Sequence, residues 1–151
     1  MTVSVTTVAA RQLAAVRRTV SAGGVGAAWR PALDLVWAYL RANPGLREDG
    51  HNVFVYHHPA QHGDPLVADF GVEIVRAFAG NGEVQPAEAP AGEIAMLVSR
   101  GSYDNIPRAH AELDAWFATS GRERAGVSWE IYGDWSDNPA KLEVTICYLL
   151  R

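Results

Sequence analysis

The sequence predicts an α+β fold in which an antiparallel sheet carries two helices and the chain consists of two similar halves. Short apolar segments bounded by Gly, Pro, Asn and Asp indicate strands, and two longer segments with apolar residues at helical spacing indicate helices. Both halves, about 1–80 and 83–151, show the order strand, helix, strand, strand. Because one half is too small to bury a stable core alone, we expect a single pseudo-twofold domain over 1–151 with a central cleft.

In the first half, the valine-rich segment 3–20 predicts strands with one break. A helix is expected over about 27–42, with Pro31 near its first turn, where a missing N–H costs little. One stripe of this helix is apolar: Trp29, Leu33, Val36, Trp37 and Leu40. Two further strands are expected over 53–56 and 70–78.

The second half repeats this order after a linker, which we assign to 79–92 because it is rich in Gly, Pro, Ala and Glu. A strand is expected over 93–100, and a helix follows over about 106–119. Strands over 129–132 and 142–150 then complete the half, separated by a polar turn.

Composition excludes several classes of protein. The single cysteine, Cys147, excludes an intramolecular disulfide and a multi-cysteine metal site, and its apolar neighbours predict a buried thiol. The net charge of −4 argues against a nucleic-acid-binding surface. No apolar run approaches the ~20 residues that span a bilayer, and the N-terminus lacks the pattern of a signal peptide. We therefore expect a cytoplasmic protein without a membrane partner.

Three short segments carry a family resemblance. The most specific is Ser-Trp-Glu-Ile-Tyr at 128–132, followed by Asp-Asn-Pro at 137–139. The others are Val-Ser-Arg-Gly-Ser-Tyr at 98–103 and Val-Tyr-His-His-Pro at 55–59. In this order and spacing, the chain from about residue 3 to 150 resembles the GyrI-like small-molecule-binding domain, the effector-binding domain of some AraC-type and MerR-type transcription regulators.

The resemblance implies a cavity between the halves that is lined by aromatic side chains and contains an acidic residue, here Glu130. It also implies a stand-alone member, because the effector-type fold occupies the whole chain and leaves no room for a helix-turn-helix domain. We therefore expect a small-molecule ligand and no direct DNA binding. The oligomeric state, monomer or dimer, stays open, and so does a protein partner, since the family includes proteins that bind a topoisomerase.

The candidate site is centred on Glu130. Strand alternation places Glu130 and Tyr132 on one face, and Phe54 takes the equivalent position in the first half, so one side is acidic and the other aromatic. An enclosed carboxylate is costly without a cation or hydrogen-bond donor, which favours amphipathic cationic aromatic ligands, as in drug or toxin binding or effector sensing. The candidate ligand-binding residues are Glu130, Tyr132, Tyr103, Tyr56, Phe54, Trp37 and Trp116. The alternatives are an exposed Glu130 on an edge strand, tyrosines at the core margin, and tryptophans within the core.

The resemblance also leaves an enzyme open, because some stand-alone relatives are implied to hydrolyse strained electrophiles. Glu130 would be the general base, and Tyr132 or Tyr103 would orient or protonate the substrate. Similarity to the SOUL-type haem proteins leaves haem binding open, with His57 or His58 as the ligand, although no cofactor is predicted.

The remaining polar features receive structural interpretations. The histidines at 57, 58 and 62 are typical of a solvated loop, so no metal is predicted. His110 and Asp114 are spaced for a pair on the helix surface. The glycine-rich segment 23–26 is interpreted as a flexible loop over the pocket, and Trp135 as a lid or oligomer contact.

Overall fold

A computed structural model describes residues 1–21 and 23–151, which form one eight-stranded antiparallel sheet with two helices. The predicted α+β class is therefore confirmed. No helix in these two ranges is long and apolar enough to cross a membrane. The elements are β1 (Ser4–Val8), β2 (Arg11–Val20), α1 (Val25–Ala42), β3 (Asn52–His57), β4 (Leu66–Glu73), β5 (Val84–Ala89), β6 (Gly92–Arg100), α2 (Ile106–Ser120), β7 (Arg124–Tyr132) and β8 (Glu143–Leu150).

The sheet has the pseudo-twofold order that a duplication requires. Its strands lie in the order β1-β6-β8-β7-β3-β4-β2-β5. If each of the strands β1 to β4 is replaced by its counterpart among β5 to β8, and the reverse, the same order is read from the opposite edge of the sheet. Each half contributes its first strand to the other half, because β1 pairs with β6 and β5 pairs with β2. The central pair is β3 and β7, where Phe54 lies directly opposite Glu130. The two halves therefore meet at the predicted acidic residue.

One strand was missed by the prediction, because the segment 79–92 is not a plain linker. It contains β5, which pairs with β2 at the edge of the sheet. Its sequence lacks the apolar alternation of a half-buried strand and includes Pro86, which lies opposite Ala14. Proline is tolerated in an edge strand, because its missing N–H then faces away from the ladder.

Two predicted boundaries in the first half are wrong. Helix α1 begins at Val25, two residues before the predicted start, so Pro31 lies inside the helix and not in its first turn. Strand β4 covers Leu66–Glu73 instead of 70–78. The early part of β4 lacks the pattern of a buried strand because it contains Asp69, a charge that the structure buries. Phe78 lies beyond the strand, where its ring packs against Tyr39.

The core has three parts, two of which lie under the helices. Helix α1 packs on β2 and β4, and helix α2 packs on β6 and β8, each covering its own apolar cluster. A third cluster occupies the opposite face of the central strands and includes Trp129 and Cys147. Burial raises the pKa of the Cys147 thiol to about 12, so the thiol stays protonated at neutral pH, as predicted for a structural cysteine.

Candidate functional site

A cavity of about 630 Å³ opens where the N-terminal ends of the two helices approach the central strands. Its volume lies in the usual range for small-molecule sites. The helices contribute their first turns, β3 and β7 form the floor, and the turn after β7 closes one side. The lining residues are Val25, Gly26, Trp29, Arg30, Asn52, Phe54, Tyr56, Tyr103, Ile106, Glu130, Tyr132, Gly133 and Trp135.

Glu130 forms the polar centre of the cavity floor, with only 5% of its surface exposed. Its Oε1 accepts a hydrogen bond of 2.9 Å from the Tyr56 hydroxyl and another of 2.9 Å from the Tyr132 hydroxyl. Its Oε2 lies 2.7 Å from Nε2 of His110. The carboxylate thus has three hydrogen-bonding partners, which offset the cost of removing it from water.

The two tyrosines act as fixed donors. Burial, together with the negative charge of Glu130, raises the pKa of Tyr56 and of Tyr132 far above the ordinary value. Both phenols therefore keep their protons throughout the physiological range. Because Glu130 and Tyr132 lie on the same face of β7, alternation along this strand brings the acid and one of its donors together.

His110 is the partner that the sequence pattern misassigned. The predicted surface pair with Asp114 is absent from the structure, because the Asp114 carboxylate pairs with Arg124 instead. The His110 ring turns from α2 toward the sheet, with its Nδ1 2.7 Å from the Tyr148 hydroxyl. The polar network thus runs from the cavity floor through Glu130 and His110 to β8.

Aromatic rings make up the walls around this carboxylate. Phe54 contacts Tyr132 at a centroid distance of 5.0 Å, and Trp29 packs against Phe54 at 6.1 Å. Tyr103 meets Tyr132 edge-on at 5.5 Å, and Trp135 lies 6.4 Å from Tyr103 at the mouth. A buried carboxylate surrounded by ring faces can attract an organic cation through both its charge and the ring quadrupoles.

The structure brings together five of the seven predicted ligand-binding residues. They line the cavity: Phe54, Tyr56, Tyr103, Glu130 and Tyr132. Trp37 lies outside the lining, where its Nε1 donates a 3.0 Å hydrogen bond to Asn52 and its ring lies under Arg47. Trp116 also lies outside, packed on Phe117 at 5.0 Å beside the second core cluster. These two tryptophans belong to the supporting structure, in line with the core alternative.

Several lining residues were not predicted as part of the site. Trp29 was assigned to the core stripe, yet it lies at the start of α1, where the helix reaches the cavity. Val25 and Gly26 belong to that first helical turn and not to a flexible loop. The glycine-rich segment just before Trp29 was the signal that the helix start lies near an open space. Trp135 is 72% exposed at the mouth, so its role as a lid stays a prediction.

The histidines at 57 and 58 make side-chain contacts that a solvated loop would not provide. His57 belongs to β3, and its Nε2 lies 2.9 Å from the buried carboxylate of Asp69. His58 is half-buried, with its Nε2 2.7 Å from the Ser128 hydroxyl. Neither lines the cavity, which removes the geometric basis for a haem ligand there. Across 1–21 and 23–151, no group of three or more His, Cys, Asp or Glu side chains is arranged to hold a metal.

Solved structures share this fold at low sequence identity. The EcmrR C-terminal domain is 17% identical, with a TM-score of 0.79 over 99% of this chain and 97% of that one. SAV2435 bound to tetraphenylphosphonium is 12% identical, with a TM-score of 0.77 over 100% and 94%. A Listeria innocua protein described as a hydrolase is 12% identical, with a TM-score of 0.55 over 99% and 91%.

The sequence comparisons agree with the fold. No curated protein sequence matches the chain. A family model for the GyrI-like small molecule binding domain matches residues 1–151, which is the whole chain. The predicted family resemblance is thereby confirmed, and the chain belongs to the family of GyrI-like small-molecule-binding domains.

Proposed function

We propose that this domain binds amphipathic organic cations that carry aromatic groups, with Glu130 supplying the charge and the cavity walls supplying ring faces. The observation that carries the proposal is a carboxylate that is 5% exposed at the floor of an aromatic cavity of about 630 Å³. Its three partners hold it in place without neutralising it through a permanent cation. Its field therefore acts in a poorly screened space.

The hydrogen bonds to Glu130 also favour one kind of cation. Oε1 accepts from Tyr56 and Tyr132, and Oε2 faces His110, so internal donors occupy most of the acceptor positions of the carboxylate. A primary ammonium would have to displace one of these donors. A quaternary or delocalised cation needs no hydrogen bond and gains from charge and ring contact alone. We therefore expect permanently charged, lipophilic cations to bind best.

A cation at the cavity mouth does not cancel this charge. Arg30 lies at the rim with its guanidinium 5.4 Å from the centroid of the Trp29 ring, and its side chain is exposed. Water and salt screen an exposed charge strongly, whereas the buried Glu130 is screened much less. That SAV2435, which shares the fold, holds tetraphenylphosphonium in its structure supports this class of ligand.

A binding experiment tests the proposal directly. Tetraphenylphosphonium is titrated into the protein and followed by tryptophan fluorescence, because Trp29 and Trp135 both line the cavity. We expect saturable quenching with one site per chain. Neutral triphenylphosphine oxide has a similar aromatic body but no positive charge. It should bind about 10-fold to 100-fold more weakly, because the attraction between a cation and Glu130 contributes roughly 1.4 to 2.8 kcal/mol to the binding free energy.

The controls separate site binding from surface adsorption. Adding the phosphine oxide at high concentration should displace the cation. Salt at 0.5 M (about a 4 Å Debye length) should weaken the binding of the cation only modestly, because Glu130 is buried. Non-saturable quenching, or equal affinity for the charged and neutral probes, would contradict the proposal.

Hydrolysis of a strained electrophile is the second candidate function. The observation that favours it is the pair formed by Glu130 and His110 at 2.7 Å, which can hold and return a proton at the cavity floor. In epoxide hydration, Glu130 would take a proton from the attacking water as the C–O bond of the ring breaks. Tyr132 would protonate the leaving oxygen and recover its proton from Glu130, 2.9 Å away.

Product analysis distinguishes the two candidates. A styrene-type epoxide is incubated with the protein, and diol formation is followed by chromatography. If the domain is a hydrolase, we expect catalytic turnover that falls at least about 100-fold in Glu130→Gln, the usual order for loss of a general base. An epoxide that survives incubation with stoichiometric protein would leave binding as the function.

A further inference from the structure

His110 has contacts that can exist in two charge states. Its Nε2 lies 2.7 Å from Glu130 Oε2, and its Nδ1 lies 2.7 Å from the Tyr148 hydroxyl. Burial raises the pKa of Tyr148 to about 12, so that hydroxyl keeps its proton. A hydroxyl can donate to a neutral imidazole or accept from an imidazolium. The network therefore accommodates a proton on His110 without moving any side chain.

The proton on His110 decides the net charge at the cavity floor. When the imidazole is neutral, the carboxylate of Glu130 gives the cavity floor a net charge of about −1, which an organic cation can neutralise. With an imidazolium, the pair is already neutral, and its cation lies in direct contact with the carboxylate. An incoming ligand cation then meets a neutral pair instead of a negative charge.

We infer that His110 sets the charge preference of the cavity, acting as an internal cation that competes with the ligand for Glu130. The inference rests on the proposed function. Neutral His110 makes the cavity select monovalent organic cations. Protonated His110 removes that preference, so the proton and the ligand cation compete for Glu130. His110 thus acts through Glu130 and is a specificity-determining residue that does not line the cavity.

The other groups around His110 do not supply a positive charge next to Glu130. Tyr56 and Tyr132 reach the other oxygen of Glu130 and keep their protons. His58, which follows β3, stacks on Tyr148 at a centroid distance of 6.1 Å. Burial lowers the pKa of His58, so it favours the neutral form.

Two charged side chains lie beyond His110, one on α2 and one on β7. Asp114 is one turn away on α2, and Arg124 comes from β7. Their side chains form an ion pair with each other, so together they add no net charge to this side. Of the three side chains in contact with Glu130, His110 is therefore the one that can carry a positive charge, because an imidazole can hold a proton on one or on both ring nitrogens.

The test measures tetraphenylphosphonium binding by calorimetry from about pH 5.5 to 8.5, across the usual imidazole range. For the wild type, we expect affinity to rise with pH, approaching tenfold per pH unit on the acid side and levelling off on the alkaline side. Buffers of different ionisation enthalpy should show release of up to one proton per ligand at the acid end. This readout needs no variant, so it does not depend on whether a mutant folds.

Two variants assign the proton to His110. Gln in His110→Gln retains an N–H donor near the position of Nε2, so we expect pH-independent affinity close to the alkaline value of the wild type. His58→Gln is the matched control, because His58 contacts Tyr148 but not Glu130. It should keep the pH dependence of the wild type, and thermal melts should confirm that both variants fold.

Each contrary outcome has a distinct meaning. Wild-type affinity that does not change with pH, or the same slope in His110→Gln, would overturn the role of His110 and leave the proposed function standing. A slope lost in His58→Gln but kept in His110→Gln would also overturn it. Failure of tetraphenylphosphonium to bind at any pH would overturn the proposed function, and this inference with it.

Discussion

The Glu130→Gln variant is expected to bind tetraphenylphosphonium about 100-fold more weakly than the wild type, which corresponds to about 2.8 kcal/mol. A cation about 6 Å from the carboxylate gains about 3 kcal/mol at an effective dielectric constant near 20. The amide keeps the shape of the side chain, and its oxygen can still accept from Tyr56 and Tyr132. The loss should therefore reflect charge and not a collapsed cavity.

Two controls isolate the charge at the site. Neutral triphenylphosphine oxide should bind Glu130→Gln about as well as the wild type, within roughly threefold, because it does not use the carboxylate charge. Glu123→Gln removes an exposed carboxylate that pairs with Arg151 at the end of the chain, and it should leave cation affinity unchanged. Equal losses in the two variants would assign the effect to total charge. If Glu130→Gln binds the cation as tightly as the wild type does, Glu130 is not part of the cation site.

The part of the site that follows from local patterns was predictable. Alternation along β7 placed Glu130 and Tyr132 on one face, and the repeat placed Phe54 at the equivalent position. These relations depend on a period of two and on the order of elements, both of which are visible in the sequence. The structure adds that Phe54 and Glu130 pair directly at the junction of the halves.

Contacts that depend on how a helix is rotated against the sheet were not predictable. His110 is spaced for a pair with Asp114, but tertiary packing turns it toward Glu130, 20 residues further along. Trp29 and Trp37 lie on the same apolar stripe, and only the position of the cavity near the helix start distinguishes them. A stripe identifies the buried side of a helix but not which end faces an open space.

Strand β5 and the start of β4 were missed for a related reason. Both contain residues that local patterns assign to loops, and the structure stabilises both through pairing with β2. In β4 the anomalous residue is Asp69, which is 3% exposed. It lies opposite Arg17 on β2, so its partner is brought close by strand register and not by sequence proximity. Pairing across 52 residues leaves no local signal.

The ion pair between the exposed Arg17 and the buried Asp69 should make a measurable contribution to stability. Nε and Nη2 of Arg17 donate to the two oxygens of Asp69 at 2.8 and 3.0 Å, and His57 lies 2.9 Å from Oδ2. Burial alone would raise the pKa of the Asp69 carboxyl, but the hydrogen bonds from Arg17 and His57 outweigh it and hold that pKa below its usual value. A carboxyl whose pKa falls on folding stabilises the native state above its unfolded pKa, and this contribution is lost as the pH falls through the folded pKa.

The Arg17→Ala variant is therefore expected to lower the free energy of unfolding by about 1 to 2 kcal/mol at pH 7, because it leaves a buried carboxylate with one partner fewer, while the exposed guanidinium of Arg17 is partly screened by water. The deficit should shrink as the pH falls below about 4, where Asp69 is protonated in the variant and progressively in the wild type. Urea unfolding at several pH values measures both effects. Arg18→Ala is the matched control, since Arg18 pairs with the exposed Glu83, and it should cost no more than about 0.5 kcal/mol. Equal costs for the two variants, or a deficit that grows on acidification, would show that Asp69 does not depend on Arg17 for its charge.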